Sequence, residues 1–333
     1  MIMKMESPSP VLRRCAGAGN VRTAESSGER VAVLLCTRRG ALFLDEQLGS
    51  IATQSHANWR VYASDDASDD QTRTILVDFQ RRMGRDRLQL RNGPGRGFAA
   101  NFLSLACEQR IEADYFAFCD QDDVWEPDKL SRALAWLSQV DPEMPALYCC
   151  RTRLIDEQGH TIGFSPLFSK APHFRNAIVQ SIAGGNTMVF NAAARRLLVR
   201  AGGEAAVPAH DWWLYILVTA MGGTVRYDRH PSVRYRVHGA NAIGANCTFR
   251  ARLARIRLLL KGRFRTWTDM HAAALLPLAS DITPEGRRIL VEFLDARRAN
   301  AFRRIVCIYV LRIYRQTLAG NIALFLAFVL RKA

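Results

Sequence analysis

Three carboxylates within four residues, Asp120-Gln121-Asp122-Asp123, follow directly on the apolar run Tyr115-Phe116-Ala117-Phe118-Cys119. Carboxylates this close repel one another, so a divalent metal, arginines or solvent must compensate them. An uninterrupted aromatic-rich run reads as a strand covered on both faces. In open α/β sheets ligands sit beyond the carboxyl ends of such strands, where these acids fall. Asp120, Asp122 and Asp123 are therefore expected to hold Mg²⁺ or Mn²⁺ against a diphosphate, stabilising the negative charge that a leaving nucleoside diphosphate gathers. The plainer reading is an acidic loop capping a helix at Asp128.

Three further positions carry chemistry. Asp65-Asp66 ends a second strand, where an acid can accept hydrogen bonds from a nucleobase or ribose or simply cap the next helix. Asp211 stands between His210 and the pair Trp212-Trp213. A carboxylate there suits a general base beside an aromatic wall for a polyhydroxyl substrate, and it suits a helix cap equally well. His238, beside Gly239, is a candidate metal or phosphate ligand, although a lone His after a strand is often structural.

The elements that must position these groups alternate. Val31–Cys36 is a buried-strand run, followed by Thr37-Arg38-Arg39-Gly40 and a helix carrying Leu44, Leu48 and Ile51 on one face. The strand Trp59–Ser64 precedes a helix marked by Ile75, Phe79 and Met83, with Ser68 and Gln71 as a possible capping box. Leu88–Arg91 is a third strand, Asn92–Gly97 a turn, and Phe98, Phe102 and Leu105 mark the next helix before the Tyr115 strand. Strand–helix alternation predicts a doubly wound, mostly parallel sheet. Beyond Trp125 a helix with Leu130, Leu134 and Leu137 leads to a strand at 146–150 and a hairpin-like stretch at 156–159. Then come Gly184-Gly185-Asn186, a strand at 187–190, a helix opened by Asn191, an apolar helix headed by His210, and two strands at 224–228 and 233–237. This is the mixed second half of one two-part domain, with halves at 31–123 and 124–245.

The net charge of +15 is unevenly spread: residues 248–333 hold 17 Lys/Arg against 5 Asp/Glu, while the preceding chain is nearly neutral. A nucleic-acid binder would need interleaved aromatics on a basic platform, and these are missing. In the basic tail, Phe249, Leu253, Ile256 and Leu260 share one helical face, and a second stretch runs from Phe302 through Ile313 into Ile322–Leu330. Its longest charge-free run, 316–330, falls short of the ~20 residues a span needs, so the tail is expected to lie on an anionic membrane surface. The eight cysteines show neither a Cys-x-x-Cys pair nor zinc spacing, which fits a reducing compartment. Residues 1–29 read as a disordered leader without a signal-peptide stretch.

Six segments in order, Val31–Gly40, Asp65–Asp70, Gly97–Phe102, Asp120–Trp125, His210–Trp213 and Tyr235–Asn241, resemble a family 2 glycosyltransferase of the rhamnosyltransferase-like bacterial group. The resemblance covers roughly residues 31–245 and continues weakly through 313–316 and 321–323. It implies a GT-A fold and an inverting transfer from a nucleotide sugar such as dTDP-rhamnose to a hydroxyl of a cell-surface glycan or lipid-linked acceptor. By position it puts Thr37, Arg38, Asp65, Asp66, Gly97, Asn101, Asp120 and Gln121 around the donor. Asp120, Asp122 and His238 fall at the metal, Asp211 becomes the base, and Gly185, Asn186, Trp212 and Trp213 lie on the acceptor side. Such an enzyme would work in the cytoplasm, peripherally on the inner face of the cell membrane. One departure concerns Arg38-Arg39, which stand where the family often has Tyr-Asn; an arginine there could touch the diphosphate.

Two rival readings remain at this level. Asp120-Gln-Asp122-Asp-Val124 also satisfies the nucleophile pattern of haloacid-dehalogenase-like phosphatases, though two acid-ended strand–helix units precede it and no later paired acids complete a metal site. A catalytically inactive nucleotide-sugar-binding module would look the same in sequence.

Overall fold

The computed structural model describes residues 28–239 and 262–332. The sheet begins with β1 (Val31–Thr37), β2 (Trp59–Asp65), β3 (Leu88–Asn92) and β4 (Tyr115–Cys119). These four run parallel in the order β3-β2-β1-β4. The period of two is visible in the packing. Along β1, Ala32, Leu34 and Cys36 enter one core while Val31, Val33 and Leu35 enter the other. β4 divides likewise, with Phe116 and Phe118 on the first side and Tyr115, Ala117 and Cys119 on the second. No face of either strand is left for water, which is why both read as unbroken apolar runs.

Helices fill the two sides. α1 (Leu44–Ala52), α2 (Thr72–Met83) and later α4 (Lys129–Leu137) cover the second core with Leu44, Leu48, Leu76, Phe79, Leu130 and Leu134. Across the sheet, α3 (Phe98–Ala106) places Phe102 and Leu105 in the first core. Met83 and Phe98, expected on buried faces, lie at helix ends and are exposed. The anticipated Ser68–Gln71 capping box does not form. Instead Asp70 accepts the Thr72 N–H at 3.0 Å, and the Ser68 hydroxyl is spent on Asp65 at 2.6 Å. Asp128 precedes α4 without a side-chain cap.

The second half turns the sheet antiparallel. β5 (Val124–Trp125) forms the far edge of the sheet, β6 (Ala146–Ile155) forms a hairpin with β7 (Thr161–Phe164), and β8 (Val189–Asn191) joins β4 to β6 in antiparallel register. The two strands expected near 224–237 are one bent strand, β9 (Thr224–Arg236), parallel to β6 with register shifts around Arg151, opposite Pro231. Proline cannot donate to the ladder, so the strand bulges there rather than ending. The short α5 (Phe174–Ala177), α6 (Ala192–Ala201), capped by Asn191 as expected, and α7 (His210–Ala220) complete the first core.

The C-terminal part is not a free tail. α8 (Arg263–Leu275), α9 (Pro284–Arg298), α10 (Ala301–Val310) and α11 (Leu318–Val329) contribute Phe264, Leu275, Ile289, Phe293, Leu324 and Phe328 to the first core. The amphipathic stretch from 302 to 330 forms two helices, separated at 311–317. The helical face at 249–261, the leader up to residue 27 and Asn241 lie outside the described residues. The six cysteines among the described residues are free thiols.

Candidate active site

The ends of β1, β2 and β4 lie side by side, with Thr37 in register with Asp65. Thr37 Oγ1 donates to Asp65 at 2.8 Å, and Ser68 and Arg73 also reach that carboxylate. Asp66 accepts from the Gly95 N–H at 2.5 Å and the Gly97 N–H at 3.3 Å, holding the glycine turn ahead of α3. Asn101 is buried and exchanges hydrogen bonds with Ser64, at 2.6 Å from its hydroxyl and 3.0 Å to its carbonyl, so it fastens α3 to β2. Of the residues placed around the donor, Asp65, Asp66 and Asn101 thus have protein partners that explain their burial. Arg38 is the exposed cation of the group, whereas Arg39 pairs with Asp69 through two 2.7 Å bonds.

Gln121 ties this floor to the acidic segment. Its Oε1 accepts the Arg38 N–H at 2.7 Å and its Nε2 donates to the Arg38 carbonyl at 3.0 Å. The clamp requires glycine at 40, because a Cβ there would overlap the Gln121 side chain.

The three acids have different surroundings. Asp123 is buried and turned inward, accepting from Asn186 Nδ2 and, at 3.1 Å, from the Arg236 N–H. It is therefore committed to protein partners that tie the acidic loop to its neighbours, and burial together with Asp122 raises its pKa. Asp122 meets His238 Nε2 at 2.9 Å. Asp120 has no cation or hydrogen-bond donor on its carboxylate among the described residues. Burial, then the like charges of Asp123, Asp122 and Asp211, raises its pKa well above the carboxylate range.

Among the described residues no three acids, histidines or cysteines form a preassembled metal centre. The donor set still fits a hard cation: Mg²⁺ is usually held by one or two carboxylates with substrate phosphates and water completing the octahedron. An uncompensated Asp120 beside Asp122 and His238 is that kind of partial shell.

A residue not singled out from the sequence supports this loop. Arg236, 1% exposed, donates to the carbonyls of Asp122 (3.1 Å), Asp156 (3.2 Å) and Glu157 (2.9 Å) and to Glu46 at 2.5 Å. Its guanidinium lies 4.5 Å from the Phe43 ring centre, and His238 packs on the same ring at 5.2 Å. The signal was present in Tyr235-Arg-Val-His238, where an arginine two residues before the histidine shares its strand face.

Asp211 opens α7 in the first turn, one residue inside the helix, so it is not the N-cap, which is Ala209. One oxygen accepts the Trp212 N–H at 2.6 Å and the other the Gly185 N–H at 3.1 Å. Burial raises its pKa to about 6 against the pull of these two bonds. Beneath it His210 stacks on Phe102 at 3.8 Å and meets Phe118 edge-on at 4.6 Å. Both of its ring nitrogens lack hydrogen-bond partners among the described residues, and burial lowers its pKa to about 3, so it is neutral. A Cβ on Gly185 would collide with this imidazole. Only glycine lets the 185 N–H come down onto Asp211.

Trp212 and Trp213, expected on the acceptor side, are buried. Trp212 is 7% exposed, donates from Nε1 to the Ala177 carbonyl at 2.6 Å and packs on His271, while Trp213 is fully buried. With α7 embedded in the core on nearly every side, neither tryptophan offers a face to a substrate. Asn186, expected on the acceptor side, is likewise buried and committed to Asp123.

Residues 32–200 match the family model of glycosyl transferase family 2, and the chain belongs to that family. The fold is GT-A: the chain is similar to the crystal structure of S. aureus TarS 1-349 in complex with UDP-GlcNAc, with a TM-score of 0.51, 14% identity and 90% of each chain covered. In sequence it is similar to the dTDP-rhamnosyl transferase RfbG of Shigella flexneri, 28% identical over 251 residues, 72% of this chain and 84% of that protein. It also resembles the putative teichuronic acid biosynthesis glycosyltransferase TuaG of Bacillus subtilis, 31% identical over 98 residues, 29% of this chain and 37% of that one. The protein is a glycosyltransferase. The phosphatase reading falls, because the acidic segment follows the fourth strand of a GT-A sheet.

Proposed function

We propose that the enzyme transfers a sugar with inversion from a nucleoside-diphosphate donor, of the dTDP-rhamnose class, to a hydroxyl of a cell-surface glycan or lipid-linked acceptor. The observation that carries this reading is the Asp211 carboxylate, fixed by two backbone N–H groups and near enough to Asp120 for their charges to interact. Family membership and the rhamnosyl relative support the donor class.

Asp211 takes the proton of the acceptor hydroxyl as its oxygen bonds to the anomeric carbon, while the bond from that carbon to the diphosphate oxygen breaks on the opposite face. With a pKa of about 6 it is ionised at neutral pH and more basic than an ordinary carboxylate. Asp120, Asp122 and His238 would hold Mg²⁺ or Mn²⁺. When bound, the cation supplies charge neutralisation for the departing diphosphate. Gln121 ties the loop carrying these ligands to the end of β1, Arg236 fixes its other side, and the exposed Arg38 would add a cation toward the diphosphate.

The test is a panel of nucleotide sugars with synthetic acceptors, with the anomeric configuration of the product read by NMR. Inverted product from dTDP-rhamnose supports the proposal. Retention of configuration would remove Asp211 as base, and donor binding without any transfer would leave a binding module.

A further inference from the structure

Helices α10 and α11 are joined antiparallel by a buried arginine. Arg304, 4% exposed, donates to the Phe328 carbonyl at 2.6 Å, the Val329 carbonyl at 3.2 Å and the Ala299 carbonyl at 2.6 Å. It satisfies orphan carbonyls at the end of α11 and so locks the pair as one unit. The inner side carries Leu324, Ala327 and Phe328 into the core.

The outer side is apolar and exposed among the described residues. On α10, Phe302 (74% exposed), Val306 and Tyr309 (86% exposed) follow at spacings of four and three; on α11, Leu318 (78% exposed), Ile322 and Phe325 repeat the pattern. Each set is one helical stripe. Residues 299–332 carry six Arg/Lys, of which Arg304 is the internal strut, and no Asp/Glu. Both helices close through an arginine in left-handed conformation, Arg312 with φ 51° and Arg331 with φ 55°, at a position where glycine is usual. No helix among the described residues is long and apolar enough to cross a bilayer.

We propose that this outer face docks on an anionic phospholipid bilayer, with the two apolar stripes at the boundary of headgroups and acyl chains and the arginines among the phosphates. Charge selects the occupant. A second copy would bring the same basic surface and be repelled. A soluble polyanion would answer the charge but leave the aromatic side chains in water.

The experiment is co-sedimentation of the full chain with phosphatidylcholine vesicles, alone and containing phosphatidylglycerol. It compares the wild type with Phe302→Ser/Tyr309→Ser and with Arg303→Gln/Arg312→Gln. The wild type should partition onto the anionic vesicles and be released by high salt. The serine pair should lower partitioning by at least ~10-fold, and the glutamine pair should erase the preference for anionic lipid. Donor binding and melting temperature should stay at wild-type values in both variants, which separates loss of docking from loss of fold or of the active site. Equal partitioning of the wild type and the serine pair, or equal binding to both kinds of vesicle, would overturn the proposal. A wild-type dimer that the serine pair abolishes would instead assign the face to a second copy.

Discussion

The carboxylate of Asp211 and the backbone N–H of Gly185 are 3.1 Å apart, and that bond joins the first turn of α7 to the turn carrying Asn186. Through Asn186 the same turn reaches Asp123 in the acidic loop. Asp211 and the acidic loop, 26 residues from Gly185 and 63 residues from Asn186, are thereby set against one short segment.

Asp211→Asn should reduce kcat by ~10²–10⁴-fold while donor affinity stays within a few-fold, because a base acts on the acceptor proton and not on the donor. Wild-type kcat should fall with a single-group slope below pH about 6, where the carboxylate becomes protonated. A variant that transfers sugar at near wild-type rate, or a flat profile down to pH 5, would remove Asp211 from catalysis.

The same group predicts a stability difference with a definite sign. Its folded pKa of about 6 lies above the unfolded value of ~3.9, so the folded state binds more protons between the two. Wild-type stability is therefore lost as pH rises through this window. Asp211→Asn lacks the titration, although its amide can accept only one of the two N–H bonds that Asp211 accepts. The melting temperature of the variant minus that of the wild type should increase from pH 4 to pH 7 and then level. A difference constant across that range would show that burial does not shift this carboxylate.

Donor binding should depend on metal. A nucleoside diphosphate at a hundredfold excess over Kd contributes ~2.7 kcal/mol of stabilisation, and this should appear with Mg²⁺ or Mn²⁺ and largely vanish with a chelator. Asp122→Asn should remove most of the metal-dependent part, since Asp122 is paired with His238 at the loop. Equal thermal shifts with and without cation would contradict the assignment of Asp120, Asp122 and His238.

Asn186→Ala leaves the buried Asp123 with a single hydrogen bond and should cost ~1–3 kcal/mol. It should also lower kcat by loosening the Gly185 N–H from Asp211. The exchange Asp123→Asn with Asn186→Asp restores a donor–acceptor pair and still leaves an oxygen for the Arg236 N–H. A double-mutant cycle should therefore give a favourable coupling of ~0.5–3 kcal/mol and partial recovery of kcat. Additive losses would show that the two side chains do not act as a strut.

Trp212→Phe tests whether this indole is core or substrate surface. The indole is in the core and bonded to Ala177, so the variant should melt earlier by the loss of one buried hydrogen bond, ~1 kcal/mol, with unchanged acceptor KM. A selective rise in acceptor KM would return the tryptophan to the substrate surface.

The sequence alone determined the alternation of strands and helices, the acidic ends of β2 and β4, and the family. Local pattern carries these: a strand buried on both faces must be apolar throughout, as Val31–Thr37 and Tyr115–Cys119 are, and a helix against a sheet must repeat its apolar side chains every three to four residues. Only the tertiary structure decided which acids turn outward. Asp122 and Asp123 are neighbours of one residue type, yet one meets His238 and the other disappears beneath Asn186 and Arg236, partners more than sixty residues away. It also decided that Trp212 and Trp213 are core, because α8 and α9 pack over α7 from the far end of the chain, and that the C-terminal helices form part of the body with one face left bare. These outcomes depend on which distant groups complete each burial and each hydrogen bond, and periodicity along the chain does not encode that.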